Sequence, residues 1–251
     1  VMIRLMTLNL NGHGERHGPW SERRPRIAAA VAMTRPDIIA LQAVARDPRR
    51  DDGLDQAVQL ARDVGDDYTV HYHPTACRPD GSEDGIAVLS RRPVADVRAL
   101  PLSRRDVGDD PSPRAVLHVT FTGLAGPWHL LAAHFSWVAE QASDNVGEAL
   151  AHLDRLGGPV VLAGDLNQTP DSVALARLRA AGLTDAWAAL HPDVPGFTFY
   201  ERGALRKRID YVLLGPALAA RLRGATLVLD EPGQRRASDH AGLVVDLDGP
   251  A

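Results

Sequence analysis

The sequence predicts an α/β protein in which two largely antiparallel sheets pack face to face, with helices on their outer sides. Short apolar runs alternate with amphipathic segments, and the strand-like runs outnumber the helix-like ones. Several strand-like runs follow one another between Tyr68 and Phe135 without a helix between them. A single parallel sheet would need more crossovers. Because no linker or repeat divides the chain, we expect one domain over residues 1–251.

The predicted elements follow from this periodicity. Strands are expected at residues 3–10, 38–44, 86–89, 115–121, 129–133, 160–163, 209–214, 225–229 and 242–247. Helical spacing covers residues 23–33, 54–64, 138–156 and 171–181. Ser21 is predicted to cap the first helix, with Pro25 in its first turn, and Gly182 is placed to end the fourth.

The composition is ordinary for a globular chain, with 45% hydrophobic and 24% charged residues. No stretch approaches the roughly 18 to 20 apolar residues that cross a bilayer, and no cleavage signal follows the apolar start. Cys77 is the only cysteine, which excludes an internal disulfide and a Cys-based zinc site. We expect a cytoplasmic monomer, although a secreted protein without disulfides fits equally. The formal charge of −4 excludes a uniformly basic surface and leaves a local basic groove open.

The strongest local signal is Gly164-Asp165-Leu166-Asn167, directly after an apolar run. A carboxylate and an amide two residues apart share one face at the mouth of a strand. Their oxygens suit a hard cation such as Mg²⁺. A simple turn explains the same residues, because Gly, Asp and Asn are turn formers.

Two further signals lie near the C-terminus. Asp239 and His240 precede the last predicted strand and could bind a metal or a phosphate, although such pairs also occur as plain polar surface. Asp210 lies inside an apolar run, where an unpaired carboxylate is costly. It therefore needs a partner. That partner could be a histidine of the site, or Asp210 could belong to a buried ion pair with a purely structural role.

His134 and Asn9 each close an apolar strand. Alone, His134 reads as a structural histidine and Asn9 as a turn residue. The pattern is informative because it repeats: an Asn, Asp or His lies at each of five strand ends. Together they predict one pocket with a metal, a phosphate and histidines around it.

The ordered set of GDLN, RIDYVL and SDH, together with AVLSRRPV at residues 87–94, resembles the endonuclease/exonuclease/phosphatase superfamily. The resemblance runs from Thr7 to His240. It implies a four-layer α/β sandwich, DNase I-like, with two sheets inside and helices outside. It also implies a Mg²⁺-dependent hydrolase of phosphodiesters or phosphomonoesters, with Mn²⁺ or Ca²⁺ as substitutes, in a group that includes endonucleases.

The resemblance also implies roles for particular residues. Asp165 would orient or deprotonate the attacking water, and Asn167 would hold that water or the phosphate. His240 would stabilise the pentacovalent phosphate, with Asp210 fixing its tautomer. His134 would be a second histidine on the phosphate side.

The same resemblance places the metal and the support of His134. Asn9 would lie near the metal or the phosphate, and Asp239 would be a metal ligand. The carboxylate partner of His134 would be Asp84 or Glu83.

Position 43 departs from the family pattern. The second strand normally ends in Leu-Gln-Glu, and its Glu is the most direct metal ligand, whereas this chain has Leu41-Gln42-Ala43. Three readings compete: an engineered Glu-to-Ala change, a natural site that holds its metal through Asn9, Asp239 and waters, or a non-catalytic phosphate binder. The first is favoured because the rest of the set is intact, and the third ranks last because His134, His240 and Asp165 remain.

The substrate is less well defined by the sequence. Arg114 and Trp137 are predicted to contact it, since both lie near predicted site strands. Nucleic acid and a small phosphorylated metabolite both remain open as partners, and no hydrophobic insertion suggests membrane binding. Other candidate basic residues for the pocket rim, each also explained as a solvated surface side chain, are Arg23, Arg24, Arg91, Arg92, Arg206, Lys207 and Arg208.

Overall fold

The computed structural model describes residues 2–65, 67–105, 110–123, 126–231 and 236–248. The strands in these residues are β1 (Met2–Asn9), β2 (Ile38–Arg46), β3 (Thr69–Cys77), β4 (Glu83–Ser90), β5 (Val94–Pro101), β6 (Ala115–Phe121), β7 (Trp128–His134), β8 (Val160–Asp165), β9 (Thr184–Asp185), β10 (Phe199–Glu201), β11 (Ala204–Lys207), β12 (Asp210–Leu214), β13 (Leu222–Val228) and β14 (Gly242–Asp248). The α-helices are α1 (Trp20–Thr34), α2 (Gln56–Val64), α3 (Ala139–Leu153), α4 (Val173–Ala180), α5 (Ala186–Leu190) and α6 (Pro216–Ala219).

Two six-stranded sheets organise the molecule. The first has the strand order β13-β14-β1-β2-β4-β3, and the second has the order β5-β6-β7-β8-β12-β9. Most neighbouring strands are antiparallel, but β1 runs parallel to β2, and β7 runs parallel to β8. Helices α1 and α3 make these two parallel connections, as parallel pairing requires a crossover.

Alternation along the strands produces the layers. Leu5 on β1 packs into the core between the sheets, whereas its neighbour Met6 packs with Ile27 of α1. On the second sheet, Leu130 faces the central core and Leu131 packs with Val146 of α3. Successive side chains of a strand point to opposite faces, so each sheet has a central and a helical side. The predicted sandwich of two sheets with outer helices is confirmed.

The differences from prediction lie at helix ends and sheet edges. Helix α1 begins at Trp20 with Pro19 at its N-cap, so Ser21 lies inside the helix and the predicted cap is wrong. Strands β3 and β5 were missed as separate elements. Both are edge strands with mostly half-exposed side chains, which weakens the apolar alternation. No helix in the described part of the chain is both long and apolar enough to cross a membrane.

Candidate active site

The polar residues singled out in the sequence meet at one edge of the sandwich. Asn9 ends β1, His134 ends β7 and Asp165 ends β8. Asp210 begins β12, which runs antiparallel to β8 and pairs Asp210 with Asp165. Asn9 Nδ2 donates to Asp165 Oδ2 at 2.9 Å and so joins the two sheets. The strand ends therefore build one polar cluster from both sheets.

Two buried carboxylates and a histidine form the centre of this cluster. His240 Nδ1 lies 2.8 Å from Asp210 Oδ2, and His240 Nε2 lies 3.7 Å from Asp165 Oδ2. Burial alone lowers the pKa of His240, but the charges of Asp210 and Asp165 and the Asp210 hydrogen bond raise it to about 10. Burial raises the pKa of Asp165 to about 6 against the opposing charge of His240. The cluster therefore holds a buried imidazolium beside a carboxylate that titrates near neutral pH.

His134 lies next to the same carboxylate. Its Nε2 is 3.5 Å from Asp165 Oδ2, and its side chain is 21% exposed. Burial, with the positive charges nearby, holds the pKa of His134 well below its ordinary value, so this ring is neutral. The predicted partner Asp84 is wrong, because its half-exposed carboxylate forms an ion pair with Arg78 instead. The carboxylate beside His134 is Asp165.

The Gly-Asp-Leu-Asn motif forms a turn that fixes the central carboxylate. Gly164 has a φ of 148°, and a Cβ there would lie 1.9 Å from the carbonyl oxygen of Ala133. Only glycine allows β8 to approach β7 this closely. Asn167 has a φ of 54°, donates its backbone N–H to Asp165 Oδ1 at 2.9 Å and donates Nδ2 to Phe135 O at 3.0 Å. The motif is therefore a turn, and that turn fixes Asp165 in the polar cluster with Asn167 beside it.

The Ser-Asp-His segment is fixed against β1 and the β10 strand. Ser238 Oγ donates to Asn9 O at 2.6 Å, and the Tyr200 N–H donates to Asp239 O at 2.9 Å. The Asp239 side chain is 27% exposed, and its Oδ1 lies 3.9 Å from His240 Nε2. Asp239 is thus the most accessible carboxylate of this cluster.

A buried arginine joins the two loops beside Asn9 and Asp239. Arg23, a candidate rim residue in the sequence, is fully buried, so that prediction is wrong. Burial lowers the pKa of Arg23, and carbonyl oxygens rather than a carboxylate accept its hydrogen bonds. These carbonyl groups belong to Leu10, Gly12, Gly18 and Ala237. Two neighbouring arginines on one helix look alike in the sequence, which hides which of them faces inward.

Ala43 lies in a β-bulge of β2. The pairing with β4 shifts between Leu41 and Val44, and Ala43 takes a φ of 48°. A left-handed conformation costs a non-glycine residue about 1–2 kcal/mol. The Gly12 N–H donates to Ala43 O at 2.8 Å, which holds the bulge against the loop after β1. The backbone at the position of the expected glutamate is therefore held in place, although the side chain of Ala43 is only a methyl group.

A cavity of about 820 Å³ opens beside His134, and Ala43 and Arg114 also line it. Arg114 is nearly buried and donates to Asp110 Oδ2 through Nε at 3.0 Å and Nη2 at 2.9 Å. Trp137, the other predicted substrate contact, is 49% exposed and does not line this cavity. It lies between β7 and α3, and its predicted contact with the substrate stays a prediction.

Comparison with protein families gives one match. The family described as Endonuclease/Exonuclease/phosphatase matches residues 6–240 of this chain. Comparison with curated proteins gives no match.

Solved structures share the fold over nearly the whole chain. An endonuclease/exonuclease/phosphatase from Beutenbergia cavernae has 28% identity and a TM-score of 0.79, covering 99% of this chain and 72% of its own. The human Nocturnin catalytic domain with bound sulfate has 22% identity and a TM-score of 0.73, with coverages of 98% and 93%. A humanized D. rerio TDP2 has 18% identity and a TM-score of 0.74, with both coverages at 99%. The last two likenesses establish the fold.

Proposed function

Because this chain belongs to the endonuclease/exonuclease/phosphatase family, whose members hydrolyse phosphate esters, we propose that it hydrolyses a phosphate ester with the help of a divalent cation. The observation that carries the proposal is the buried cluster of Asp165, His240 and Asp210 with His134 beside it. Such a cluster costs free energy to bury, and perturbed pKa values concentrate at functional sites. The sulfate bound to the Nocturnin domain, an anion similar to phosphate, adds support.

Asp165 is the group that we assign to the attacking water. With a pKa of about 6, its carboxylate is mostly ionised at neutral pH and can still take up a proton. Asn167 uses Nδ2 to bind Phe135 O, which leaves its amide oxygen to hold the same water. Both side chains come from one turn, so their relative position is fixed.

The two histidines are assigned to the phosphate. Asp210 occupies Nδ1 of His240, so the charged ring presents its Nε2–H to the developing negative charge. Asp210 thereby fixes the ring orientation and supports its charge. His134 is neutral and donates a second hydrogen bond on the same side of Asp165. One charged and one neutral donor together stabilise the phosphorane-like transition state.

Asn9 and Asp239 are the residues that we propose as metal ligands. Their oxygens are hard donors that suit Mg²⁺, or Mn²⁺ or Ca²⁺ in its place, and the partial exposure of Asp239 leaves room for metal-bound waters. Asp165, Asp210 and His240 also lie close enough together to hold a metal, but Asp210 already accepts a hydrogen bond from His240, and Asp165 accepts one from Asn9. When bound, the cation would neutralise charge on the phosphate and the leaving oxygen.

Ala43 predicts weak metal binding. Mg²⁺ is usually held by one or two carboxylates besides waters and substrate phosphate, and this chain supplies the Asp239 carboxylate without the expected second one. We therefore expect slow turnover by the unaltered chain. Ala43 already has a left-handed φ of 48°, so a glutamate there adds little backbone strain beyond that of the alanine.

The test restores this carboxylate. The Ala43→Glu variant and the unaltered chain are assayed with bis-p-nitrophenyl phosphate over a range of Mg²⁺ concentrations. We expect a gain of at least about tenfold at low Mg²⁺, in line with adding a metal ligand. The control adds Asp165→Asn to Ala43→Glu and should abolish the gain. Equal, metal-independent rates in all three proteins would contradict the proposal.

A second candidate function is phosphate binding without hydrolysis, which the missing carboxylate at position 43 favours. In that case Ala43→Glu gains no activity, while inorganic phosphate still binds and raises the melting temperature. Loss of phosphate binding on His240→Gln would then identify the same cluster as a binding site. Metal-dependent turnover by the unaltered chain, abolished by Asp165→Asn, excludes this second function.

A further inference from the structure

The cavity beside His134 is far larger than a phosphate group requires. Its volume of about 820 Å³ is in the range of pockets that enclose whole small molecules. Since His134 also lies 3.5 Å from Asp165, the cavity opens onto the catalytic cluster. A group at the His134 end of the cavity is within reach of a phosphate at that cluster. The cavity is therefore the natural place for the alcohol part of a phosphate ester.

Five arginines and four carboxylates line the cavity in the described part of the chain. Every one of these arginines has a carboxylate partner. The ion pairs are Arg46 with Glu83 at 3.2 Å, Arg49 with Asp47 at 2.9 Å, Arg50 with Asp47 at 3.5 Å, Arg114 with Asp110 at 2.9 Å, and Arg78 with Asp84. A polynucleotide backbone is held by cations that replace its counterions. Paired arginines are poor at this, so the cavity does not suit a polyanion.

The lining is equally unsuited to bases and acyl chains. None of the described residues that line it is Phe, Tyr or Trp, so a nucleobase finds no large aromatic ring and would have to stack on an imidazole or on an arginine that already holds a carboxylate. Ile86 is the largest aliphatic side chain in the same set, and a lipid tail would remain largely unpacked. The occupant must be small and polar.

We propose that this cavity binds a neutral, hydroxyl-rich group, such as a pentose or hexose, that is esterified to the reacting phosphate. The proposal rests on the phosphoesterase function. A hydroxyl both donates and accepts a hydrogen bond, whereas a carboxylate only accepts and a guanidinium only donates. An ion pair therefore offers two neighbouring hydroxyls an acceptor and a donor side by side. This arrangement matches a sugar and gives no advantage to a hydrocarbon.

Asp47 is the residue best placed to test this. It is nearly buried, accepts from Arg49 Nε at 2.9 Å and lies 3.5 Å from Arg50. The hydrogen bonds from Arg49 lower the pKa of Asp47 to about 2, so its carboxylate is a permanent acceptor. A matched control exists in Asp96, which pairs with Arg98 at 2.6 Å on β5 and does not line the cavity.

The experiment compares glucose 1-phosphate and ribose 5-phosphate with thymidine 5′-phosphate and bis-p-nitrophenyl phosphate, using the Ala43→Glu protein. We expect kcat/KM for the sugar phosphates to exceed that for thymidine 5′-phosphate by about tenfold or more. Asp47→Asn should raise KM for glucose 1-phosphate about tenfold and change the bis-p-nitrophenyl phosphate rate less than twofold. Asp96→Asn should change neither.

Preference for thymidine 5′-phosphate, or an equal effect of Asp47→Asn on both kinds of substrate, would overturn the proposal. Calorimetric binding of glucose 1-phosphate to the unaltered chain separates this inference from the proposed function. If no form turns over any substrate, the phosphoesterase function fails. Binding that Asp47→Asn weakens and Asp96→Asn does not would still support the sugar site, and absence of binding would overturn it.

Discussion

Two buried histidines of this protein, His240 and His118, have opposite charge states. In the candidate active site, the pKa of His240 is raised to about 10, whereas on the outer side of the second sheet the pKa of His118 is lowered to about 4. Both rings are almost fully buried, so burial alone does not separate them. His240 lies beside two carboxylates, while the ring nitrogens of His118 face His129 and His152. The two carboxylates beside His240, rather than its depth, give it the charge that His118 lacks.

His118 belongs to a row of hydrogen-bonded rings that also contains His129 and His152. His152 Nε2 lies 3.1 Å from His118 Nδ1, His118 Nε2 lies 3.0 Å from His129 Nδ1, and His129 Nε2 lies 2.9 Å from Gly157 O. Since the carbonyl oxygen only accepts, His129 carries its proton on Nε2, and each ring in turn donates to the next. The row is satisfied without charge. Carboxylates in the active site therefore create a charge that the fold itself does not need.

The largest expected effect comes from removing the carboxylate that supports His240. Asp210→Asn keeps the shape but takes away the negative charge and the acceptor, so His240 loses the stabilisation of its charged form. We expect kcat to fall about 100-fold or more in the Ala43→Glu background, within the range for a general acid or base. Steady-state assay with bis-p-nitrophenyl phosphate measures this.

A matched control for this substitution is Asp185→Asn. Asp185 is also a buried carboxylate, but its partner is Arg208 rather than a histidine. Both variants should lose stability, and thermal melts measure how much. Similar losses of kcat in the two variants would show that a buried carboxylate matters only for folding.

A smaller effect, on the free energy of unfolding, is expected when acid protonates His118. The unfolded chain binds a proton at His118 near pH 6.5, whereas the folded protein binds it only near pH 4. The stability from a neutral His118 is therefore present above about pH 6.5 and is lost as the pH falls toward 4. We expect a loss of about 3 kcal/mol at pH 4. Urea denaturation between pH 4 and 7 measures it.

The control variant for this acid effect is His118→Gln, since a glutamine also donates and accepts hydrogen bonds but does not titrate. Its free energy of unfolding should depend less on pH than that of the unaltered chain. If the free energy of unfolding of the two proteins depends on pH in the same way, His118 is not neutral in the folded state.

The smallest effect is expected at Arg23, a buried cation whose hydrogen bonds go to carbonyl groups instead of a carboxylate. Arg23 holds the loops beside Asn9 and Asp239 through four carbonyl groups. We expect Arg23→Met to weaken Mn²⁺ binding about tenfold, a typical result of losing an outer contact of a metal site. Arg23→Lys should restore part of it, and electron paramagnetic resonance measures free Mn²⁺.

Arg4→Met is the matched control. Arg4 lies near the start of β1, at the opposite end from Asn9, and donates hydrogen bonds to Asp246 and to Thr34 O. It should lower stability and leave Mn²⁺ affinity unchanged. If both variants weaken Mn²⁺ binding equally, Arg23 supports the fold in general rather than the site.

The sequence was informative where function depends on neighbouring residues. Asp165, Asn167, Asp239 and His240 stand in short motifs at strand ends, and strand order brings them together. The sheets were predictable because their central strands are nearly continuous apolar runs that are buried on both faces. Edge strand β5 was missed as a separate element because its side chains are largely exposed.

The rest depends on distant contacts that leave no local pattern. His118, His129 and His152 come from β6, β7 and α3 and share no motif. The choice of Asp84 as the partner of His134 failed because Arg78, brought near by the β3–β4 hairpin, captures that carboxylate. Such pairings require the fold to be known.

The most direct test is an imidazole ¹⁵N NMR titration of the unaltered chain from pH 4 to 9. The carboxylate account predicts that His240 stays protonated on both nitrogens through pH 8, while His118 stays neutral down to about pH 5. Deprotonation of His240 near pH 6.5 would contradict the charged donor on which the proposed hydrolysis depends.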